Sequence, residues 1–178
     1  ATTETASNSD TPLVIAHDDV SEKFSPFFGE SVPDEDVWLL TTVTLLDVDR
    51  QGEIVYNGIE GETRSYNGTD YTYTGMADCV VTENADGTVD YDFTIRDDVK
   101  FTDGEPLTAS DVAFTFNTCR DESSVNDFTM LKEAVAVDDT TVEFHMNTPF
   151  AVWPYTMAIV GIVPEHAYDE NYGQNPIG

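Results

Sequence analysis

The sequence predicts a mixed α+β fold, and three observations carry that prediction. Two pairs of alternating runs, 76–83 with 88–96 and 134–137 with 141–146, are joined by Asn84-Ala85-Asp86-Gly87 and Asp138-Asp139-Thr140, the pattern of β-hairpins. Within the first pair, Val89, Tyr91, Phe93 and Ile95 recur at every second position, so one face of that strand is buried and the other wet. Between the pairs, Thr108-Ala109-Ser110-Asp111 forms a capping box that opens a helix with Val112, Phe116 and Cys119 on one stripe, and that stripe packs on the hairpins.

The remaining elements follow in chain order. The opening ATTETASNSDT is small, hydroxylated and acidic and reads as a flexible tether. Leu13-Val14-Ile15-Ala16 is a short apolar strand candidate leading into a loop of His17, Asp18 and Asp19. Residues Phe24 to Pro33 contain two prolines and a glycine, which predicts irregular backbone. The three phenylalanines there either fold the loop over a core or wall a ligand. From Asp34, the positions Val37, Leu40, Val43 and Leu46 step at helical spacing behind an acidic first turn, predicting a helix of about three turns.

Asp47 to Glu53 resembles a calcium loop but fails its test: Gln51 takes the third ligand position, and the twelfth, where a bidentate Glu is required, is Gly58. A turn between two strands is the better reading. Residues 57–70 are rich in Gly, Asn and acid and read as an exposed loop. Asn67-Gly68-Thr69 fits a glycosylation acceptor, which matters only in a secretory eukaryotic setting. An apolar stretch from Trp153 to Val163 and a short helix initiated by Pro164 and running through Tyr168 complete the pattern.

Composition excludes several functions. In 178 residues, 7 Lys+Arg stand against 35 Asp+Glu, a net charge of −28 at pH 7. No basic stripe exists to displace counterions from a nucleic acid, or to dock on anionic lipid. The hydrophobic fraction of 40% and the aromatic fraction of 11% are ample for a core, so disorder is a poor reading. The length suits one domain or a large part of one. No apolar run spans a membrane and no signal-peptide pattern opens the chain. The acidity, 21 Asp and 14 Glu against three Lys, reads either as salt adaptation or as a solvated anionic surface. The second is preferred, because screening over ~8 Å at physiological salt makes such crowding tolerable. Cys79 and Cys119 are too far apart for a CxxC motif and are expected as buried small hydrophobes, not a disulfide.

No HExxH, GxSxG, GxGxxG or GxxxxGK[ST] motif is present, and His17, His145 and His166 are dispersed. Carboxylates are so numerous that a glycosidase-type pair cannot be singled out. Nothing supports an enzyme positively, and neither a cofactor nor a metal is implied.

The run from Asp86 to Phe116, DGTVDYDFTIRDDVKFTDGEPLTASDVAFTF, closely resembles the signature of the family 5 extracellular solute-binding proteins, the peptide-, dipeptide- and nickel-binding subunits of bacterial ABC importers. Other pieces fall in that family's order: Ser25-Pro26 in place of its Asp-Pro, Met76-Ala77-Asp78 in place of Leu-Ala-Glu, Thr141-Val142-Glu143-Phe144 as a late strand, and Ile162 through Tyr168. The resemblance runs from about residue 13 to 178. It implies part of the first lobe of a type II periplasmic-binding-protein-like fold, with its hairpin-rich accessory subdomain.

On that resemblance, residues 1–12 are a tether, 13–46 the start of the first lobe with a ligand loop and helix, 47–168 the accessory α+β subdomain, and 169–178 a return segment toward further lobes. The signature itself is structural, with Asp103-Gly104 turning and Pro106-Leu107-Thr108 setting up the helix cap. Ligand contact is implied at Glu30, Ser31, Val32 and Pro33, where the family's backbone runs beside a bound peptide, with Phe28 as an apolar wall. The mechanism would be strand addition to a rigid loop. Relatives continue past the position of Gly178, and the acid that pairs with the peptide's amino terminus comes from the second lobe, so weak binding by this stretch alone is expected. Implied partners are an oligopeptide or small solute and the permease subunits of an importer. Membrane contact is expected only through a lipid anchor upstream of Ala1, outside the cell or in a periplasm. Two other classes remain open, a secreted hydrolase domain and an acidic, calcium-responsive adhesive domain.

Overall fold

The computed structural model describes residues 14–20, 24, 25, 27, 29, 31–123 and 127–169. These form helices α1 (Val32–Thr41), α2 (Ala109–Glu122) and α3 (Trp153–Met157). Strands β1 (Asp47–Val48), β2 (Ile54–Val55), β3 (Glu62–Tyr66), β4 (Thr69–Tyr73), β5 (Ala77–Glu83), β6 (Val89–Ile95), β7 (Leu131–Ala136) and β8 (Thr141–Met146) accompany them, with one 3-10 turn at Glu165–Ala167.

The centre is a four-stranded antiparallel sheet in the order β5-β6-β8-β7. Both expected hairpins are its building blocks. In the first, the Asn84 N–H donates to the Thr88 carbonyl at 2.8 Å, and Gly87 turns the chain at φ +85°, a conformation that glycine adopts without steric cost. Alternation delivers Val89, Tyr91, Phe93 and Ile95 of β6 to the inner face, where all four are buried beside Val142, Phe144 and Met146 of β8.

Helix α2 covers that face with the expected stripe of Val112, Phe116 and Cys119. The Phe116 ring stands edge-on to Phe144 at 4.9 Å and to Trp153 of α3 at 6.0 Å, an arrangement that aligns ring edges with π-faces. The helix starts as the capping box requires, with the Thr108 N–H donating to Asp111 Oδ2 at 2.9 Å. Cys79 and Cys119 are free and buried. Burial pushes the Cys79 thiol up to about 12 and the Cys119 thiol higher still.

The outer edge of β7 is closed by a side chain instead of a strand. The amide of Asn117 donates to the Ala134 carbonyl at 2.8 Å and accepts from the Ala134 N–H at 3.0 Å. At the opposite edge, residues 56–58 run beside β5, with Cys79 N–H to Tyr56 O at 2.7 Å and Gly58 N–H to Ala77 O at 3.0 Å.

Four expectations are corrected. Val14 to Ala16 form no strand and lie exposed, Val14 by 84%, because no neighbouring strand among the described residues pairs with them. Leu13 lies outside the described residues. The irregular segment ends at Ser31, not Pro33: α1 includes Pro33 in its first turn, where a missing N–H costs nothing. That helix stops at Thr41, so Val43 and Leu46 are not on it, and it buries Asp34 and Trp38 while Leu40 is 85% exposed. Residues 57–70 are not simply loop. β3 and β4 pair from Glu62↔Tyr73 to Tyr66↔Thr69 around Asn67 (φ 51°) and Gly68 (φ 78°), the Asn-Gly turn whose twist matches a hairpin. Polar alternation, Thr63 and Ser65 against Thr72 and Asp70, gives one face of this hairpin no apolar periodicity.

An arginine clips the small hairpins together. Arg64 donates to Asp49 Oδ2 at 2.9 Å, to the Ile54 carbonyl at 2.7 Å and to Glu62 Oε2 at 3.0 Å. Asp49 also accepts from the Gln51 and Glu53 N–H groups at 2.7 and 3.0 Å. Asp47 to Glu53 is therefore a turn between β1 and β2 whose central carboxylate serves the protein itself, as the failed calcium pattern implied. The guanidinium holds the Asp49 carboxyl below its ordinary range.

Candidate functional site

The segment that leads into α1 is built around glycine and buried side chains. The Gly29 N–H donates to the Ser25 carbonyl at 2.9 Å, the Phe27 N–H to Ser25 Oγ at 3.3 Å, and Ser25, Phe27 and Gly29 are all buried. A Cβ at position 29 would fall 2.0 Å from the Trp38 ring, so only glycine lets the loop rest on the helix. Of the two readings of the phenylalanines, Phe27 takes the first: it is 0% exposed and belongs to the core. Phe28 lies outside the described residues.

Of the ligand-contact candidates, Glu30 also lies outside the described residues, and the other three stand together at the start of α1. Ser31 is the N-cap: its Oγ accepts from the Asp34 N–H at 3.3 Å and its hydroxyl donates to Asp34 Oδ2. Val32 is exposed and Pro33 half-buried in the first turn. These two residues are therefore helical, not an extended edge. The buried Asp34, which the sequence reading placed only in a dipole-compatible acidic turn, holds this start in place. Its signal was legible as Ser31-Val32-Pro33-Asp34, a capping sequence with proline inside the first turn.

Of the concavities that border α1 or its C-cap, two are the larger. One, of about 590 Å³, is lined by Ile15, His17, Pro33, Asp36, Val37 and Leu40 among others. It reaches the candidate segment through Pro33 and is mostly apolar. The other, of about 300 Å³, lies past the C-terminal end of the helix between Thr42, Thr44, Asp47, Thr74, Met76 and Arg96. Its polar groups are largely engaged within the chain: Thr42 Oγ1 donates to the Trp38 carbonyl at 2.7 Å, Thr44 Oγ1 to the Leu46 carbonyl at 2.9 Å, and Arg96 grips Asp98 at 2.8 and 2.7 Å. Of the candidate segment, Pro33 alone lines the first concavity; Ser31 and Val32 do not.

The histidines do not converge. His145 sits opposite Asp90 on the outer sheet face at 3.0 Å, with Glu143 at 3.5 Å. On the same face burial, then Glu143 and Asp90, push the Asp92 carboxyl up. His166 meets Asp103 at 2.7 Å, which raises the imidazole above its ordinary value. Among the described residues no three His, Cys, Asp or Glu side chains gather as metal ligands, and no helix is long and apolar enough to cross a membrane.

Comparison with known proteins gives this architecture a context. Protein XP55 of Streptomyces lividans is 38% identical over 96 residues, covering 48% of this chain and 17% of that protein. The probable D,D-dipeptide-binding periplasmic protein DdpA of Escherichia coli K12 is 32% identical over 106 residues, covering 53% of this chain and 20% of that protein. Among solved structures, NikZ from Campylobacter jejuni in complex with Ni(L-His) matches with a TM-score of 0.65 at 20% identity, covering 90% of this chain and 30% of that one. AppA from Bacillus subtilis in complex with a nonapeptide matches with a TM-score of 0.61 at 21% identity, covering 86% and 27%. The chain thus spans less than a third of each, and the fold is part of that mixed α/β architecture. The sequence model of the bacterial extracellular solute-binding proteins, family 5 middle region, matches residues 71–178, from the end of β4 through both hairpins, α2 and α3. With more than half of its length matched, the chain belongs to the family 5 extracellular solute-binding proteins.

Proposed function

We propose that this chain supplies part of the first lobe of a solute-binding protein that captures peptides, or a related small solute, outside the cytoplasm and hands them to an ABC importer. The observation that carries the reading is the family match over residues 71–178. DdpA, a dipeptide-binding protein by name and 32% identical over 106 residues, favours peptides over a nickel chelate. The parent protein binds its solute and does not turn it over. Residues 13–46 form the ligand-facing start of the lobe, 47–168 the accessory subdomain and 169–178 the return segment. The hydroxylated opening residues support a tether to a lipid anchor.

Ligand contact falls on Phe28, Glu30, Ser31, Val32 and Pro33. Because Val32 and Pro33 are helical, contact there uses the exposed Val32 side chain in place of a strand edge. Isothermal titration of the intact parent protein against short peptides tests the reading. Peptide binding weakened at least tenfold by Val32→Asp is expected; no binding by the intact protein, or binding indifferent to that substitution, overturns it. The 178-residue chain alone is expected to bind weakly or not at all, since one wall of a cleft buries little ligand. Micromolar binding by it would remove the need for a second lobe.

A further inference from the structure

Residues 163–168 form a strap across the N-terminal half of α2. The Val163 N–H donates to Thr115 Oγ1 at 3.0 Å, the Glu165 N–H to Asp111 Oδ1 at 2.9 Å, and Ser110 Oγ to Glu165 Oε2 at 2.7 Å. His166 Nε2 meets Asp103 Oδ2 at 2.7 Å in the Asp103-Gly104 turn, its ring edge-on to Phe101 at 5.7 Å. The strap ends on Tyr168, whose hydroxyl donates to Glu122 near the C-terminal end of α2. Its ring stands edge-on to Phe114 of α2 at 5.0 Å and to Phe27 at 5.9 Å.

Phe27 belongs to the segment that carries the proposed ligand contacts, four residues before Ser31. The hydrogen bonds from Gly29 and Phe27 to Ser25 are internal to that segment; they shape it but cannot place it on the rest of the molecule. Gly29 against Trp38 seats it on α1. The Phe27–Tyr168 contact ties it to the α2 side. The strap, meanwhile, is fastened by its own polar contacts at residues 163, 165 and 166 and does not depend on Phe27. Edge-to-face packing is directional, so a strap held in this way helps to orient the Phe27 ring, which the core also encloses.

We propose that Tyr168 is a positioning residue for the ligand segment: its ring holds Phe27, and so sets where Ser31 to Pro33 stand relative to α2 and the Asp103-Gly104 turn. The role rests on the reading of Ser31, Val32 and Pro33 as ligand contacts. It also gives the signature from Val99 to Thr108 a connection to the site, through Asp103, His166 and the strap, although no residue of that signature lines the concavity at Pro33.

The two tryptophans provide the test. Labelling the chain with 5-fluorotryptophan gives two ¹⁹F resonances, assigned with Trp38→Phe: Trp38 reports the seat of Gly29, and Trp153, fully buried against Phe116 and Phe128, reports the core. Tyr168→Ala is expected to move the Trp38 resonance by more than its linewidth and leave Trp153 in place, while Tyr168→Phe leaves both unmoved. Three results overturn the proposal: a Trp38 resonance unchanged by Tyr168→Ala, one that moves only in step with Trp153, or one that Tyr168→Phe shifts equally. Should Tyr168→Ala fail to fold, Tyr168→Leu keeps the apolar bulk without the ring and is read against the same outcomes. No ligand enters the measurement, so a parent protein that bound no peptide would remove the ligand reading and leave the positioning result standing.

Discussion

In α2 the stripe of Val112, Phe116 and Cys119 is covered by the sheet, whereas α1, read from the same kind of spacing, leaves Leu40 85% and Val32 69% exposed and buries Asp34 and Trp38. Periodicity identifies an apolar face on a helix, but it does not supply the surface that covers that face. Around α2 the chain supplies two hairpins and α3. Around α1 it supplies the segment at Ser25 to Gly29 on one side and, on the other, an apolar groove shared with the exposed Ile15. The family signature lies entirely with the covered helix, and the proposed ligand contacts lie with the uncovered one. Packing and proposed binding are thus divided between two parts of one short chain.

The comparison is broken most severely at the core. Phe116→Ala should cost ~3–5 kcal/mol in urea unfolding, because it deletes the ring on which Phe144, Phe128 and Trp153 converge. Leu40→Ser should stay within about 0.5 kcal/mol of the parent; a cost similar to that of Phe116→Ala would mean that α1 is covered after all. The caps sharpen the contrast at smaller scale. Thr108→Ala and Ser31→Ala should each cost about 1 kcal/mol of helix stability. The first should lower the global unfolding midpoint, while the second should speed hydrogen exchange in α1 and leave the sheet amides protected.

Arg64→Met should release β3 and β4 from β1 and β2, with exchange protection lost at 62–73 and retained in β5 to β8. Equal loss in both would merge the regions that the comparison separates. The smallest effect concerns pH. Asp103 raises the folded His166 above its ordinary 6.5, so the contact's contribution is fully present below about pH 6.5 and is lost as pH rises through the folded value. Both side chains are 41% exposed, which keeps the effect modest. Thermal midpoints measured from pH 6 to 9 should fall more steeply for the parent than for His166→Gln.

How much of this was legible in the sequence depended on whether a residue's partners lie close in the chain or far from it. The β5–β6 and β7–β8 hairpins and the α2 cap are local, and Asn84 to Gly87 or Thr108 to Asp111 carry their own geometry. The β3–β4 hairpin was equally local, but one of its faces is polar and the other mixes tyrosines with Glu62 and Arg64, leaving Asn67-Gly68 as its clearest mark. The burial of Trp38 in place of Leu40 depends on Gly29 lying flat against the indole, a contact that no spacing rule expresses. At the candidate site, the grouping of Ser31, Val32 and Pro33 followed from adjacency. The helical backbone there did not, because two prolines and a glycine argue against regular structure, although a proline is tolerated in a helix's first turn. Tyr168 was legible only as the end of a short helix; its meeting with Phe27 joins residues 141 positions apart.

The side-chain amide at the rim of the sheet has a consequence for the company the molecule keeps. A bare strand edge invites another chain to continue the sheet, and Asn117 occupies both groups that Ala134 would offer such a visitor. Arg120 adds a bond to the neighbouring Lys132 carbonyl. A protein whose proposed work is to grasp extended peptides must not grasp them along every unpaired backbone, and at β7 the Asn117 amide and Arg120 leave fewer free backbone groups to compete with the proposed site.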